Sequence, residues 1–457
     1  MRLERALQAG GLLSLALPDN RRRFLDAPIA PQPLTPFAIP ANPVGVFFHF
    51  PAELLLLLTY LNLGPFNWAM FGIIMHAGRR KMVLMNRPPH PIVGPPPSAT
   101  IIIPAKDEGA RIRGCLESAL NQDYPNFQVL AIDDRSADQT GAVMDEMAAA
   151  DPRLKIIHKT NAPPQGWTGK NNALWIGQQG ASGEWMLFVD SDMILEKDAL
   201  SVAMSVVLRK EFDMLSLLPR LESHSIWEGM LVPLAAGAAS TMYVVALTNN
   251  SRLKNTAFGN GQFLLISRSA YDAIGGHETV RDRFCEDVEL AVQLKRAGLR
   301  PRVSWGTEFA SVRMYSSLGA IFRGWSRIYY AARVGSPWRI LAALLFLIFC
   351  CFTAYPAVAW GIERVIHPVP GAVAWRGPAW LAAGLVHLGI MTWFLGTVYK
   401  WSGNPRRNAF WFPIAGPMLM LIFLRALKMC ITKKVEWRGT AYSHTMAQNL
   451  AAATPKQ

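Results

Sequence analysis

The stretch Trp185–Asp192, which reads WMLFVDSD, constrains the fold of this chain more than any other. An apolar run that ends in two aspartates predicts a buried parallel strand whose carboxyl end carries two carboxylates, and open α/β sheets bind ligands at such ends. Carboxylates at i and i+2 can hold one Mg²⁺ or Mn²⁺ ion that takes its other ligands from water and substrate phosphates. Asp190 and Asp192 therefore indicate a metal-assisted diphosphate site. Alternatively, they only end the strand and begin the turn before Leu195.

Strands and helices alternate along the chain from Ala99 onward. The segments ATIIIP, FQVLAIDD and LKIIH predict buried strands, and the apolar spacing within 106–122, 138–149 and 169–179 predicts helices. This order implies an α/β domain with a mostly parallel, Rossmann-like sheet, right-handed crossovers and helices on both faces. No GxGxxG follows the first strand and no GxxxxGK[ST] occurs in the sequence. Dinucleotide oxidoreductases and P-loop enzymes are therefore disfavoured.

Several other stretches are long and apolar enough to cross about 30 Å of hydrocarbon as helices. They are Leu54–Met75, Leu341–Trp360, Ala379–Tyr399 and the segment 410–427. Asn62, Pro65 and Asn67 weaken the first of them, for which a re-entrant or interfacial hairpin is an alternative. Ile226–Thr248 is also apolar, but Glu228 favours an amphipathic helix on the membrane face of the domain over a further span.

Basic residues are concentrated beside the apolar stretches, around 79–87 and 323–339. The net charge of +14, in a chain with 51% hydrophobic residues, therefore indicates cytoplasmic membrane flanks and anionic lipid, and nucleic acid is not an expected partner. We expect a multi-pass protein of the inner (plasma) membrane with its polar domain in the cytoplasm. Three later spans would place the basic residues near 428–438 outside, so an alternative is that one segment does not cross fully. The five cysteines lack CxxC spacing, which indicates reduced thiols without a metal.

Composition divides the chain into six parts. They are a disordered leader at 1–43, an N-terminal membrane segment at 44–78, a proline-rich linker at 79–98, the α/β domain at 99–335, membrane helices at 336–430 and a tail at 431–457. The leader is expected to be disordered because it is rich in proline and alanine and has no lasting periodicity.

Short polar motifs follow one another through the α/β domain. They are Ile103–Glu108, Asp133–Ser136, Gly166–Lys170, Asp190–Asp192 and Cys285–Asp287. Each is a weak signal alone, but in this order and with these gaps they resemble the family 2 glycosyltransferases, whose catalytic domain has the GT-A fold. The resemblance covers roughly residues 99–335, about half of the chain, and implies a hexosyltransferase that uses a nucleotide-sugar donor.

The resemblance implies donor-binding roles for most of these residues. Asp133 or Asp134 would accept the N3–H of a uracil-like base, and the other would form an Asx-turn or a helix N-cap. Lys170 would place an ammonium near nucleotide or phosphate, unless it is a solvated surface lysine. Asp190 would contact ribose or metal and Asp192 the metal, Mg²⁺ or Mn²⁺, whose charge neutralises the departing nucleoside diphosphate.

Asp287 matches the aspartate that the family uses as general base. Removal of a proton from an acceptor hydroxyl as it attacks the anomeric carbon implies direct displacement with inversion and no covalent nucleophile. Alternatively, Glu286 and Asp287 only complement the dipole at the start of a helix. Gly259–Gly261 resembles the glycine-rich turn before the family's acceptor region, where bare backbone lets a substrate approach, or it is a plain tight turn.

The stretch Phe322–Arg327 departs from the family pattern. Processive synthases of the family carry Q/R-x-x-R-W on an amphipathic helix near the membrane, and here the Arg and Trp residues are present but reordered. Arg323 and Arg327, at i and i+4, would share a helix face and could still bind pyrophosphate, or they only flank a membrane segment. The mismatch disfavours a chain-polymerising synthase.

The motifs GWTGK, EDVEL and RMYSS and the segment Trp437–Tyr442 look most like the bacterial branch of hopanoid-associated and carotenoid-type transferases, related to ceramide glucosyltransferase. This likeness implies transfer of a single sugar, from a UDP-linked donor, to a lipid acceptor reached from the bilayer. A processive polysaccharide synthase and a non-catalytic nucleotide-sugar-binding membrane protein are the alternatives. The leading hypothesis requires the side chains of Asp134, Asp190, Asp192 and Asp287 to converge on one pocket at one rim of the sheet.

Overall fold

The computed structural model describes most of the chain from residue 52 onward. The described residues are 52–79, 82–83, 85–243, 245–254, 256–332, 336–368 and 374–432, with the backbone alone at 434–437 and 440–443. The leader predicted at 1–43, the start of the predicted N-terminal membrane segment and most of the predicted tail lie outside these residues.

The first apolar stretch forms one continuous helix and not a re-entrant hairpin. It consists of α1 (Ala52–Leu61), a π-helical turn (Asn62–Phe66) and α2 (Asn67–Arg79). The side-chain amide of Asn67 donates to the backbone oxygens of Asn62 and Leu63 at 2.8 and 3.0 Å. Pro65 has no N–H and therefore disturbs the hydrogen bonding of this turn. The amide of Asn67 supplies donors to two of its carbonyl groups.

A seven-stranded sheet forms the centre of the α/β domain. The strands of the domain are β1 (Ala99–Ala105), β2 (Phe127–Asp134), β3 (Leu154–Lys159), β4 (Trp185–Val189), β5 (Met193–Leu195), β6 (Met214–Leu218), β7 (Arg220–Leu221), β8 (Phe263–Ser267), β9 (Pro301–Trp305) and β10 (Ala310–Val312). The large sheet has the order β3-β2-β1-β4-β8-β6-β9, and a small sheet has the order β5-β10-β7. Neighbours in the large sheet are parallel except that β8 runs antiparallel to β4 and β6.

Helices cover both faces of the large sheet. Those of the domain are α3 (Ile112–Leu120), α4 (Thr140–Ala150), α5 (Gly169–Gly180), α6 (Ala199–Lys210), α7 (Ile226–Met242), α8 (Arg268–Ala273), α9 (Glu286–Arg296) and α10 (Leu318–Ala332). Successive side chains of a strand point to opposite faces. Ile101 and Ile103 therefore share a core cluster with α3, α4 and α6, whereas Ile102 shares one with α5, α8 and α9. The predicted α/β class, with a mostly parallel sheet and helices on both faces, is confirmed.

Long apolar helices follow the domain. They are α11 (Pro337–Leu347), joined to α12 (Ala354–Ile366) by the π-helical turn Ile348–Phe352, then α13 (Arg376–Trp401), and α14 (Phe412–Thr432) after the 3₁₀ turn Arg406–Trp411. Within the described residues, four helices are long and apolar enough to cross a membrane: Ala52–Arg79, Pro337–Ile366, Arg376–Trp401 and Arg406–Thr432. Each predicted span falls inside one of them. A hairpin of β11 (Lys434–Trp437) and β12 (Thr440–Ser443) comes after them.

The prediction of an amphipathic surface helix at 226–248 is wrong. Eight consecutive residues of α7, starting at Glu228, are buried, so this part of the helix has no solvated face. The helix packs against α10, α13 and α14, where the phenol groups of Tyr329 and Tyr399 donate to its backbone oxygens. Glu228 lies inside because its carboxylate accepts hydrogen bonds from Arg313 at 3.0 Å. A charged residue in an apolar helix therefore marks a buried carboxylate paired with a partly exposed arginine here, and not a solvated helix face.

Candidate active site

The carboxyl ends of β1, β2 and β4 lie side by side at one edge of the sheet, because these strands are parallel neighbours. Motifs that follow separate strands in the sequence therefore meet at this edge. Asp107 and Arg135, in the turns after β1 and β2, have positive φ values of 54° and 59°. The carboxylate of Asp107 accepts a hydrogen bond from the N–H of Ala137 at 2.7 Å, which ties the two turns together.

A cavity of about 760 Å³ opens at this edge. Asp134, Asp190, Asp192 and Asp287 all line it, together with Lys170. The predicted convergence of the four aspartates on one pocket is confirmed. Apolar side chains from α7 and α13 also line the cavity, so carboxylates and apolar helices face the same space. Its volume is within the range of pockets that bind small molecules.

Lys170 connects two acidic groups of the cavity. The hydroxyl of Thr168 caps α5 by accepting a backbone N–H of its first turn at 3.2 Å, which fixes the start of the helix that carries Lys170. The ammonium nitrogen lies 2.8 Å from Oδ1 of Asp190 and 2.9 Å from Oε1 of Glu286. Burial alone would lower the pKa of Lys170, but the charges of Asp190, Glu286 and Asp287 hold it well above its usual value. Lys170 is therefore a charged bridge and not a solvated surface lysine.

Asp192 lies among other charged groups. Burial and then the charges of Asp190 and Glu108 raise its pKa to about 7, while Arg111, whose guanidinium nitrogen is 3.8 Å from Oδ2, opposes the shift. Such crowding of carboxylates favours an additional cation. The described part of the chain contains no group of three or more His, Cys, Asp or Glu side chains placed to hold a metal. Two carboxylates nevertheless suit Mg²⁺ or Mn²⁺ that arrives with substrate phosphates, so Asp190 and Asp192 fit such an ion.

Asp287 is held by backbone hydrogen bonds at the start of α9. Its Oδ2 accepts from the N–H of Gly261 at 2.6 Å and its Oδ1 from the N–H of Val288 at 2.8 Å. Burial and then the charge of Glu286 raise the pKa of Asp287 to about 7, while Lys170 opposes the shift. An oriented carboxylate with a pKa near neutrality suits general-base chemistry.

The turn Gly259–Gly261 lies directly against these groups. A methyl group on Gly259 would lie 2.4 Å from the backbone oxygen of Asp287, and one on Gly261 would lie 3.1 Å from Nζ of Lys170. Close approach of the backbone therefore requires glycine at 259, whereas a side chain at 261 would be tight; the approaching groups belong to the protein itself and not to a substrate.

The two aspartates at the end of β2 have different surroundings. Asp134 lines the cavity and accepts from Nζ of Lys159 at 2.7 Å and Nε of Arg135 at 3.0 Å. Burial would raise its pKa, but Arg135 and Lys159 hold it below the usual value. Asp133 is absent from the described cavity lining. It accepts a backbone N–H of the following turn at 3.1 Å and lies 3.1 Å from Nδ1 of His158, so it stabilises the turn.

The structure brings only one of the two arginines of α10 to the cavity. Arg327 lines it, whereas Arg323 is exposed and lies outside the described lining. Side chains at i and i+4 differ by about 40° around the helix and about 6 Å along it, so a cavity beside one turn need not reach both. The ring of Tyr315, which precedes α10, packs against Gly324 of that helix and also lines the cavity.

Sequence reasoning missed several residues around the cavity. Lys159 pairs with Asp134 because the two are aligned in the parallel register of β2 and β3, which the sequence does not state. Two tryptophans also line the cavity. Trp305 is the last residue of β9, a strand that was not predicted, and Trp401 is the last residue of α13. Tyr315 belongs to the RMYSS segment that carried part of the family likeness, so a signal for it was present.

The fold and the site together define an α/β domain with a mainly parallel sheet, joined to apolar helices, and aspartates cluster at one edge of the sheet. Residues 100–275 match the family model described as glycosyl transferase family 2. This match spans less than half of the chain and confirms, over that domain, the resemblance to a glycosyltransferase family that the motifs predicted.

Curated relatives are similar to about half of the chain. The 4,4'-diaponeurosporenoate glycosyltransferases of Staphylococcus aureus strains MRSA252 and USA300 are each 27% identical to it over 253 residues. The match covers 55% of this chain and 65% of each relative.

Solved structures with a similar fold include two transferases. The mannosyltransferase PcManGT from Pyrobaculum calidifontis, in complex with GDP-Man and Mn²⁺, is 15% identical over 82% of this chain and 98% of its own, with a TM-score of 0.45. Glucosyl-3-phosphoglycerate synthase from Mycobacterium tuberculosis, with Mn²⁺, UDP and glucosyl-3-phosphoglycerate, is 16% identical over 52% of this chain and 79% of its own, with a TM-score of 0.35.

Proposed function

We propose that the protein is a membrane-bound, inverting glycosyltransferase that moves a single sugar from a UDP-linked donor to the hydroxyl group of a lipid. One observation carries this proposal. Asp190, Asp192 and Asp287 line the same cavity as Phe394 and Val398 of the apolar helix α13. A polar nucleotide sugar and an apolar acceptor can therefore meet in one space, as single-sugar transfer to a lipid requires.

The donor would bind along the carboxyl edge of the sheet. Oδ2 of Asp134 would accept the N3–H of the base, while Lys170 would donate to the diphosphate. Arg327 adds a second positive charge from α10. Asp190 and Asp192 would hold a Mg²⁺ or Mn²⁺ ion, which when bound supplies positive charge to the departing nucleoside diphosphate. The distribution of cations around the diphosphate lowers the barrier to its departure.

Asp287 would act as the general base. Its carboxylate removes the proton of the acceptor hydroxyl as the hydroxyl oxygen attacks the anomeric carbon, and the bond from that carbon to the diphosphate breaks. Attack from the face opposite the leaving group inverts the anomeric configuration. Gly261 and Val288 donate to both oxygens of Asp287 and so hold the base in one orientation.

The proposed location is the inner (plasma) membrane, with the chain crossing it several times and the α/β domain at the cytoplasmic face. Four helices of suitable length and apolar character support this location. Basic residues around 79–87 and 323–339 flank them on the side of the domain, as the positive-inside rule expects.

Incubation of membranes that contain the protein with a panel of labelled nucleotide sugars tests the proposal. We expect one UDP-sugar to label a lipid-soluble product that carries one sugar of inverted anomeric configuration, and a chelator to abolish the labelling. Membranes with Asp287→Asn serve as the matched control. A ladder of long glycans would favour a processive synthase. No transfer or hydrolysis of any nucleotide sugar under any metal condition would favour a non-catalytic binding protein.

A further inference from the structure

The carboxylate of Asp134 does not offer its two oxygens equally to a ligand. Oδ1 accepts from Nζ of Lys159 at 2.7 Å and from Nε of Arg135 at 3.0 Å. Oδ2 has one longer contact within the described residues, 3.5 Å to Nη2 of Arg135. A methyl group on Gly169 would lie 3.0 Å from Oδ2, so the missing side chain there keeps space beside this oxygen. Oδ2 is therefore the oxygen that a base can use.

Lys159 contacts Asp134 but is not among the described residues that line the cavity. The two residues are aligned on the neighbouring strands β2 and β3, and their side chains are 5% and 6% exposed. Asp134 and Arg135 line the cavity, whereas Lys159 lies outside its described lining. Loss of this contact would leave a buried ammonium without its carboxylate partner, which is costly, so the pairing of Lys159 with Oδ1 is favoured. Its effect on any ligand passes through Asp134.

Uracil and guanine differ in how many oxygens of the Asp134 carboxylate they need as hydrogen-bond acceptors. Uracil presents a single N–H between two carbonyl oxygens. Guanine presents two adjacent N–H groups, which a carboxylate binds best with both of its oxygens. A carboxylate limited to one oxygen would leave the second N–H of guanine unpaired in a buried site, and sites of this kind discriminate strongly. The guanidinium of Arg135, at the cavity wall, can donate to a neighbouring carbonyl oxygen of uracil.

We propose that Lys159 determines the nucleotide specificity of the donor site. By engaging Oδ1 of Asp134 it leaves one acceptor for the base, so that uracil is bound and guanine is rejected. The inference rests on the proposed function, in which Asp134 meets the donor base. Lys159 is a positioning residue and does not touch the donor.

Calorimetric titration of UDP and of GDP into the detergent-solubilised full chain, with Mg²⁺ present, tests this inference without any sugar transfer. We expect the unaltered protein to prefer UDP by at least tenfold. Lys159→Met removes the shorter of the two hydrogen bonds to Oδ1, the other being that of Arg135, and should reduce the UDP-to-GDP preference at least tenfold, through weaker UDP and tighter GDP binding. Lys159→Arg should retain the preference. Lys155→Met, which changes an exposed lysine of the same strand, is the matched control and should behave like the unaltered protein.

Equal binding of UDP and GDP by the unaltered protein would overturn the inference. So would a Lys159→Met protein whose melting temperature falls while its preference is unchanged, since Lys159 would then be only structural. Lys159→Gln, whose shorter side chain cannot reach Oδ1, repeats the test if the methionine variant does not fold. A protein that shows the Lys159-dependent preference but transfers no sugar would refute the proposed function alone. Sugar transfer with a preference independent of Lys159 would refute this inference alone.

Discussion

The ammonium nitrogen of Lys170 lies 2.8 Å from Oδ1 of Asp190 and joins two halves of the cavity. Lys170 comes from the start of α5, Asp190 follows β4, and the same ammonium is 2.9 Å from Glu286, the neighbour of Asp287. A positive charge therefore lies beside Asp190, between the residues proposed to hold the metal and the aspartate proposed as the base. A divalent cation that approaches Asp190 meets this charge at short range, where Coulomb repulsion is appreciable.

Lys170→Met is expected to tighten Mn²⁺ binding in the absence of nucleotide and to weaken UDP binding in its presence. The substitution removes a cation that competes with the metal and donates to the diphosphate. We expect roughly a tenfold change in each, or about 1.4 kcal/mol. Electron paramagnetic resonance of free Mn²⁺ measures the first and calorimetry the second. Lys210→Met, at an exposed position, is the control. Unchanged or weaker Mn²⁺ binding by the Lys170 variant would contradict the expected competition.

Asparagine substitutions should distinguish the roles of Asp133 and Asp134, the two aspartates that end β2. Asp134→Asn replaces an acceptor for the base and should raise KM for the donor about tenfold or more, because it loses a charge-assisted hydrogen bond of about 1.5–3 kcal/mol. Asp133→Asn weakens a turn held by His158 and should mainly lower the melting temperature. Donor KM and thermal denaturation are measured for both variants. A larger donor effect from Asp133→Asn would reverse the assignment.

The pH dependence of transfer should report the ionisation of Asp287. A general base works only when deprotonated, and its pKa is raised to about 7, so the rate should rise as pH increases through neutrality. Saturating metal is used so that Asp192, whose pKa is also raised to about 7, stays ionised. Glu286→Gln removes a negative charge that raises the pKa of Asp287 and should move the acid limb to lower pH. A limb that stays in place, or moves to higher pH, would argue against this electrostatic origin.

Gly261→Ala should reduce transfer while leaving the protein folded. The added methyl group would lie 3.1 Å from Nζ of Lys170 and 3.3 Å from Oδ2 of Asp287, so both groups must move by a few tenths of an ångström. Small displacements of reacting groups are costly, and we expect a fall in kcat of roughly 10- to 100-fold. Gly389→Ala in α13, where an added methyl group meets nothing within 4 Å, is the control. Full activity of the Gly261 variant would show that the close approach has no role in turnover.

The sequence predicted the features that depend on local pattern. The apolar run Trp185–Val189 predicted a buried strand, and the acids after it were expected at the carboxyl edge because α/β alternation favours parallel strands. Long, mainly apolar stretches identified the candidate membrane helices. The convergence of Asp134 and Asp190 followed from topology alone, before any distance was known.

Features that depend on register and tertiary contact could not be predicted. The strands β5 and β7 span only Met193–Leu195 and Arg220–Leu221, too short for a periodic signal. The choice of Asp134 over Asp133 depends on which side chain faces the cavity and which faces His158. The partnership of Lys159 with Asp134 requires the alignment of β2 and β3. The burial of α7 requires neighbours from α10, α13 and α14, which lie far along the chain.

The most direct measurement is metal-dependent sugar transfer by the purified Asp192→Ala protein. If Asp192 holds the cation that supports the departing diphosphate, the variant should keep its melting temperature but lose at least a hundredfold in rate, about 2.7 kcal/mol of transition-state stabilisation, and added Mn²⁺ should not restore it. A folded Asp192→Ala protein that transfers sugar at the unaltered rate, with the same dependence on metal, would contradict the assignment of this edge of the sheet as the active site.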